Sequence, residues 1–462
     1  MKKIVLVVLV IILVVVAVYY ALTGSVIHTP YLSESYYALT MSRLDSLNEQ
    51  SVPVTGKLEA GFARINITPV INAEKDDAAQ GVFRVMPLAG YGDRDGRPAE
   101  GTHDSLYVKA LALRVHDQLI IMLGSDLLIM PPEVTDSVAA HLKKYAGLSR
   151  SQLFLSATHT HSSVGAWASG FVGSEFAGEE NPNVRRWLTQ QIETCILQAR
   201  SDLKPAHLTT VQFEAPDYVK NRLVGRQGRV NDVFNFIVIE QYDGKRGIVG
   251  AYAAHATTLG GSNMLFSGDY PGYWQRKLEK NGLDMAIFFA GTVGSHGPAG
   301  KGSGFERAEY IGEGLADSVQ KYMQAPAWQE DIGFKYLSLR VRLPEFHIRI
   351  SLERHLCTAL SRQLLPLHSD VWIQAVRLGD LVWVTTPCDF SGEFAIDLQN
   401  DLYRQGFKTA ISSFNGDYVG YVIPGKYFYM KKYESFTMAW FGPNLGAYLV
   451  DLIERLTNAV IQ

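Results

Sequence analysis

The chain has 462 residues, 47% of them hydrophobic and 19% charged, the balance of a globular protein long enough to bury a large core. Lys+Arg 43 against Asp+Glu 46 gives a net charge of −3, so the chain offers no basic field to a nucleic acid. Its three cysteines, Cys195, Cys357 and Cys388, make neither a disulfide framework nor a C-x-x-C site, so any metal would be held through nitrogen and oxygen.

Met1-Lys2-Lys3 precedes an uncharged apolar run from Ile4 to Leu22. At about 1.5 Å per helical residue this run spans the hydrocarbon core of a bilayer. Tyr19 and Tyr20 fall where an interfacial aromatic belt belongs, and the two lysines favour a cytoplasmic N-terminus. Residues 1–24 therefore read as an uncleaved membrane anchor. The alternative is a secretory signal, whose apolar region would be unusually long and which lacks a good A-x-A site. Either reading places the rest of the chain outside the cytoplasm, in a periplasmic or extracellular compartment.

Residues 25–57 are polar and mixed, and read as a stalk with a short helix near 34–47. One domain is expected over 58–462, where apolar strands alternate with amphipathic helices. Strands 110–115 and 119–124 form a hairpin across His116-Asp117, followed by a helix over 132–145 and a strand at 153–156. A helix over 182–199 leads to strands at 208–213 and 234–240. Strands 247–253 and 286–290 bracket a helix at 271–280. Next come a helix over 306–322, a strand at 334–343, a helix over 351–364, and a strand pair, 371–377 and 381–385, turning at Leu378-Gly379-Asp380. The pattern predicts an α/β fold, a mixed-sheet sandwich with flanking helices, preceded by one transmembrane helix. There is no internal repeat.

Polar groups cluster where the strands end. Asp126 closes the run 120–125, His159 and His161 follow 153–156, His255 closes 249–254, and Asp389 follows 382–388. Strand carboxyl ends are where loops converge above a rigid sheet in α/β folds, so a shared site is expected there. In extended backbone His159 and His161 would project to the same side. Both could then bind a divalent metal, or one could bind it while the other moves protons. Elsewhere, His347, His355 and His368 show no partner spacing, and Gly300–Gly304 lacks the pattern of a phosphate loop.

Further landmarks lie in order along residues 58–450. They are Gly90-Tyr91-Gly92, Leu106-Tyr107 with Lys109-Ala110, Ala157-Thr158-His159-Thr160-His161-Ser162, Asn221-Arg222, and His255-Ala256-Thr257 with Ser267-Gly268-Asp269 and Gly272-Tyr273. After them come a Gly-rich segment over 291–298, Pro387-Cys388-Asp389-Phe390, Tyr418-Val419-Gly420-Tyr421, Tyr433-Glu434 and Phe441-Gly442-Pro443. On these motifs the chain resembles the neutral, non-lysosomal ceramidase family.

The resemblance implies a single zinc ion held by His159, His255, Asp389 and Tyr421, with Asp389 standing where the family usually has Glu. It makes His161 the proton-transfer group between a metal-activated water and the leaving amine. Arg222 would donate to the developing oxyanion or a substrate hydroxyl, and Tyr418 would help position substrate. Asp126 and Asp269 are read as carboxylates that orient the ligands. The family's Gly-rich segment carries a serine of catalytic or substrate-contacting role. Here the sequence is Gly294-Ser295-His296-Gly297-Pro298, with glycine at the serine's place, so Ser295 and His296 are the candidates to replace it. The chain also ends soon after Phe441-Gly442-Pro443, so the family's C-terminal β-sandwich domain is expected to be absent. The function implied is a zinc-dependent amide hydrolase of N-acyl sphingolipids such as ceramide. The alternatives are a zinc hydrolase of a non-lipid amide or ester, and a non-catalytic lipid- or envelope-binding relative.

Overall fold

The apolar N-terminal run forms a helix, α1 (Lys2–Leu22), exposed along its whole length. Among the described residues, 2–462 of this computed structural model, it is the one helix long and apolar enough to cross a membrane. Its last turn is tied to the domain. Strand β1 (Thr23–Ser25) pairs antiparallel with Arg354–Leu356, and the Cys357 N–H donates to Leu22 O at 2.8 Å. The Arg354 guanidinium also lies over the rings of Tyr19 and Tyr20, at 5.2 and 4.9 Å.

The segment expected as a stalk is docked onto the domain. Its helix α2 (Ser35–Gln50) carries Tyr36, Thr40, Leu44 and Leu47 along one face at helical spacing. Leu44 is buried in a cluster with Leu339, Val341 and Leu452. Thr40 Oγ1 accepts from the Arg342 N–H at 3.0 Å and from the Tyr448 hydroxyl at 2.8 Å.

The domain is built on a 12-stranded mixed sheet that branches at the strand Val54–Asn66. In chain order the elements are β2 (Val54–Asn66), β3 (Tyr107–Val115), β4 (Gln118–Ser125), α3 (Pro132–Ala146) and β5 (Leu153–Ala157). Then come α4 (Gly170–Ala177), α5 (Pro182–Ser201), β6 (Lys204–Glu214), β7 (Val233–Gln241), β8 (Arg246–Tyr252), α6 (Asp269–Lys280) and β9 (Met285–Ala290). The last part holds α7 (Gly304–Tyr322), β10 (Asp331–Arg342), β11 (Arg354–Leu356), α8 (Thr358–Leu364), β12 (Asp370–Leu378), β13 (Leu381–Thr385), α9 (Gly392–Tyr403), β14 (Lys408–Ser412) and α10 (Leu445–Ile461). The main path runs β9-β8-β7-β6-β2-β10-β12-β13-β14, and β3, β4 and β5 extend from β2 as a third branch.

Each branch ends in a parallel pair, β4 with β5, β8 with β9 and β13 with β14. Each pair is joined through a helix (α3, α6 or α9), the crossover a parallel pair requires. The branches curl around an inner core that includes Met122, Phe154, Ile287, Phe289 and Trp383. Alternate residues of the same strands face outward, where α3 and α5, α6 and α7, and α9 and α10 form three outer layers. Burial on both faces explains why these strands are continuous apolar runs. The carboxyl ends of the three edge strands are sewn together. Ser156 Oγ donates to Ser413 O at 2.8 Å, and the Ser413 N–H donates to Ala290 O at 2.9 Å.

The mixed α/β sheet with outer helices agrees with the sequence reading. The helix expected over 351–364 is a correction: Arg354–Leu356 is drawn into a strand by its pairing with β1, and helix begins only at Thr358. Leu44→Ala should destabilise the purified protein by about 2–5 kcal/mol in chemical or thermal unfolding. An effect near zero would return residues 25–57 to the status of a free stalk.

Candidate metal centre

Strand β5 stops at Ala157, and the backbone then leaves the extended region. His159 has φ of +63°, the left-handed conformation, as does Phe414 (φ +66°), whose ring stacks on its imidazole at 4.2 Å. The two histidines thus do not share a side through strand alternation. A turn brings them together, held by Thr158 N–H to Ser125 O (2.9 Å), His159 N–H to Leu127 O (3.1 Å) and Thr160 Oγ1 to Ser267 O (2.6 Å). Such a backbone costs of order 1–3 kcal/mol per residue and persists where the surroundings over-determine it. His255 comes from the loop after β8, three residues beyond Tyr252.

The three Nε2 atoms converge. His159 and His255 are 2.8 Å apart, His161 and His255 3.1 Å, and His161 and His159 3.3 Å. Each Nδ1 instead faces a backbone carbonyl: Leu128 O at 2.5 Å from His159, Gly90 O at 3.0 Å from His161, and Val293 O at 3.4 Å from His255. A carbonyl can only accept, so each ring proton sits on Nδ1 and three Nε2 lone pairs point at one another. Burial pushes the His159 pKa down to about 3 and those of His161 and His255 well below the usual value, so protonation does not relieve the repulsion. A metal ion does. Ligand nitrogens about 2.0–2.1 Å from a tetrahedral ion lie roughly 3.3 Å apart, close to the observed spacing, and ligating histidines usually donate their other N–H to a carbonyl or carboxylate.

Asp389 completes the donor set. The short parallel pairing of Asp389-Phe390 with Tyr421-Val422 brings Asp389 beside Tyr421. Gly294 allows the approach, since a Cβ there would lie 2.1 Å from Asp389 O. The carboxylate is fully buried, and burial raises its pKa to about 7. Oδ2 accepts from the Tyr418 hydroxyl at 2.8 Å. Oδ1 has no hydrogen-bond partner among the described residues and lies 3.5 Å from His159 Nε2 and 3.8 Å from His255 Nδ1. An orphaned buried carboxylate oxygen beside three free lone pairs fits a cation.

The Tyr421 hydroxyl accepts from Arg222 Nη2 at 2.9 Å. Arg222 Nε is 3.0 Å from Glu434 Oε1 but not aligned for a hydrogen bond, so this contact is one of charge. The remaining expected residues lie outside the cluster. Asp126 accepts from the Tyr107 N–H (2.8 Å) and Gln275 Nε2 (3.0 Å), and pins the loop that supplies Leu128 O without touching a histidine. Asp269 accepts from Thr258 Oγ1, the Tyr270 N–H (2.6 Å) and the Leu259 N–H (3.2 Å), fixing the chain beyond His255; burial raises its pKa to about 6.

Ser295 and His296 are sealed in the interior. Ser295 Oγ is 2.7 Å from Ser391 Oγ and 2.8 Å from His296 Nδ1. His296 Nε2 accepts from the Asn231 N–H at 2.8 Å, so its proton is on Nδ1 and it donates to the serine. This histidine cannot act as the serine's base, and neither residue reaches the cavity at the histidines.

Residues 75–295 match the family described as neutral/alkaline non-lysosomal ceramidase, N-terminal. That match spans a little under half of the chain. A crystal structure of neutral ceramidase from Pseudomonas aeruginosa superposes with a TM-score of 0.72 at 19% identity, covering 87% of this chain and 74% of that one. A structure described as ceramidase complexed with C2 gives a TM-score of 0.71 at 19% identity, covering 87% and 76%. At that identity the likeness is one of fold. A search of curated proteins gave no match.

In this fold a cavity of about 240 Å³ opens over His159 and His161, walled by Leu128, Val172, Phe176 and Met438 together with Tyr418, Tyr421 and Tyr433. Several residues that build it carried no role in the sequence. Arg94 is buried and donates to His161 O at 2.5 Å and Ala89 O at 3.2 Å, bracing the second histidine. Gly90 has φ of +131°, and a Cβ there would meet the His161 Cβ at 2.6 Å. Glu434 balances Arg222. No local pattern marks Arg94 or Phe414; Gly90 and Glu434 were visible only as landmarks.

Gly90→Ala should displace His161 and lower metal affinity by about 10–100-fold, the range for groups supporting a ligand. Competition with a metal-binding dye measures this. Unchanged affinity would remove Gly90 O from the support of the site.

Proposed function

We propose that the protein is a membrane-anchored zinc hydrolase of N-acyl lipids such as ceramide, with its domain outside the cytoplasm. The observation that carries this reading is the convergence of three unprotonated imidazole nitrogens, two placed as ligands and one as a base, with an unpartnered carboxylate oxygen beside an apolar-walled cavity. All donors are nitrogen or oxygen, as zinc sites that keep an open position commonly use. The match of residues 75–295 to a ceramidase family supports amide hydrolysis. The grip of the domain on Tyr19, Tyr20 and Leu22 supports a helix that is retained after export.

His159, His255 and Asp389 hold the ion in this reading, with Tyr421 at the same carboxylate. Zinc bound there supplies Lewis acidity, polarising an amide carbonyl and acidifying a water molecule. The chain's own groups do the rest. His161 is the half-buried member of the histidine cluster and lines the cavity, so its Nε2 takes a proton and returns it to the departing amine. Arg222 donates to the Tyr421 oxygen and holds the phenol beside Asp389, while its charge faces the oxygen that becomes negative. Leu128, Val172, Phe176 and Met438 exclude water and receive an alkyl chain.

Purified protein should contain about one zinc per chain. His255→Ala should lose both metal and activity, and a protein that binds no metal would overturn the reading. His161→Ala should keep its zinc and lose about 10²–10⁴ in kcat on an N-acyl lipid. Loss of the metal instead would make His161 a ligand. Ser295→Ala should keep activity within about tenfold, since the serine has no base; complete inactivation of the zinc-loaded variant would restore it as nucleophile.

A further inference from the structure

A second groove, of about 750 Å³, lies between the turn 350–353 and the segment 431–437, and it shares Tyr433 and Thr437 with the metal cavity. Its rim carries Ile350, Leu352 and Phe436 beside Lys431 and Lys432. Ile350 and Tyr433 are 43% and 55% exposed, unusual for large apolar side chains sharing one depression.

The position of this groove is tied to α1. The turn closes through the Ile350 and Ser351 N–H groups donating to Arg354 O, at 2.9 and 3.1 Å. Arg354 pairs with Ser25, and the Val26 N–H donates to Glu353 O at 3.0 Å. Val26 is four residues past the end of α1, so it lies at most about 13 Å beyond it at roughly 3.3 Å per residue, with the turn bonded directly to it. The headgroup layer extends about 5–7 Å past the hydrocarbon, so side chains on this rim reach it. The rim's two exposed lysines are suited to lipid phosphates, and its carboxylate, Glu353, lies 3.7 Å from His28.

We propose that this groove is the membrane-facing entrance to the metal cavity, receiving the lipid substrate directly from the leaflet in which α1 is anchored. The proposal rests on the reading of α1 as a retained anchor and of the cavity as a lipid site. The groove offers an apolar bed that begins at the headgroups and continues past Tyr433 and Thr437 to the histidines. A lipid tail following it does not have to cross water.

The test uses the full chain reconstituted into vesicles of phosphatidylcholine and phosphatidylglycerol. In Ile350→Asp/Leu352→Asp and in Lys431→Glu/Lys432→Glu, hydrolysis of a long-chain N-acyl lipid in the vesicle should fall by about tenfold or more. Hydrolysis of a short-chain, water-soluble N-acyl amide should stay within about twofold, as for ordinary surface substitutions. Equal losses on both substrates, or no loss on either, would overturn the entrance. A spin label at Ser351→Cys, in a Cys357→Ser background, should be shielded from a water-soluble nickel relaxant in vesicles; full accessibility would overturn it too. This readout needs no activity. A chain that hydrolyses neither substrate but shields the label refutes the amidase reading and leaves the groove on the membrane.

Discussion

Three imidazole lone pairs cannot be aimed at one buried point unless the rest of the chain holds them there, and much of the domain's construction serves that end. The rings arrive from two branches of the sheet and the carboxylate from the third. Parallel pairing through helical crossovers brings all three sets of strand ends to one side, and hydrogen bonds from Ser156 and Ser413 lock the edge strands together. On this frame each ring is aimed by a carbonyl on its far nitrogen, and each such carbonyl belongs to a loop fixed in turn. Asp126 fixes the loop of Leu128, Arg94 braces the segment of His161, and Asp269 fixes the chain after His255. The carboxylates read as direct partners of the metal ligands act one step further out, through backbone.

Electrostatics points the same way. Burial strips the histidines of any tendency to protonate and makes Asp389 reluctant to ionise, so the metal-free centre lacks positive charge. The nearest fixed cation is Arg222, held off by Tyr421 and balanced by Glu434. The site is thus prepared for one additional cation, with the arginine reaching its edge through the Tyr421 hydroxyl.

Much of this was legible in the sequence, for identifiable reasons. Strands buried on both faces are written as unbroken apolar runs, so their ends, and the polar residues at those ends, could be located. The family landmarks then grouped His159, His255, Asp389 and Tyr421, which no periodicity could do across such distances. The left-handed turn at His159 was invisible, because threonine and histidine neighbours do not signal it; the right association was drawn from the wrong backbone geometry. Ser295 and His296 looked available because adjacency in sequence says nothing about which way a buried pair faces. The polar composition of 25–57 hid a docking helix whose buried face needs only Tyr36, Thr40 and Leu44. The strand at Arg354–Leu356 depended on a partner more than three hundred residues away.

The spread of donors along the chain has a mechanical consequence. His159 and His255 are 96 residues apart, and Asp389 lies further still, each in a separate crossover unit. An ion bound by all three is a reversible cross-link closing two long loops, at an entropic cost that grows only slowly with loop length. Unlike a disulfide, it needs no oxidising partner and tightens with the concentration of free metal. Were such an ion bound, the cohesion of the three branches would be coupled to metal supply in whatever compartment the domain occupies.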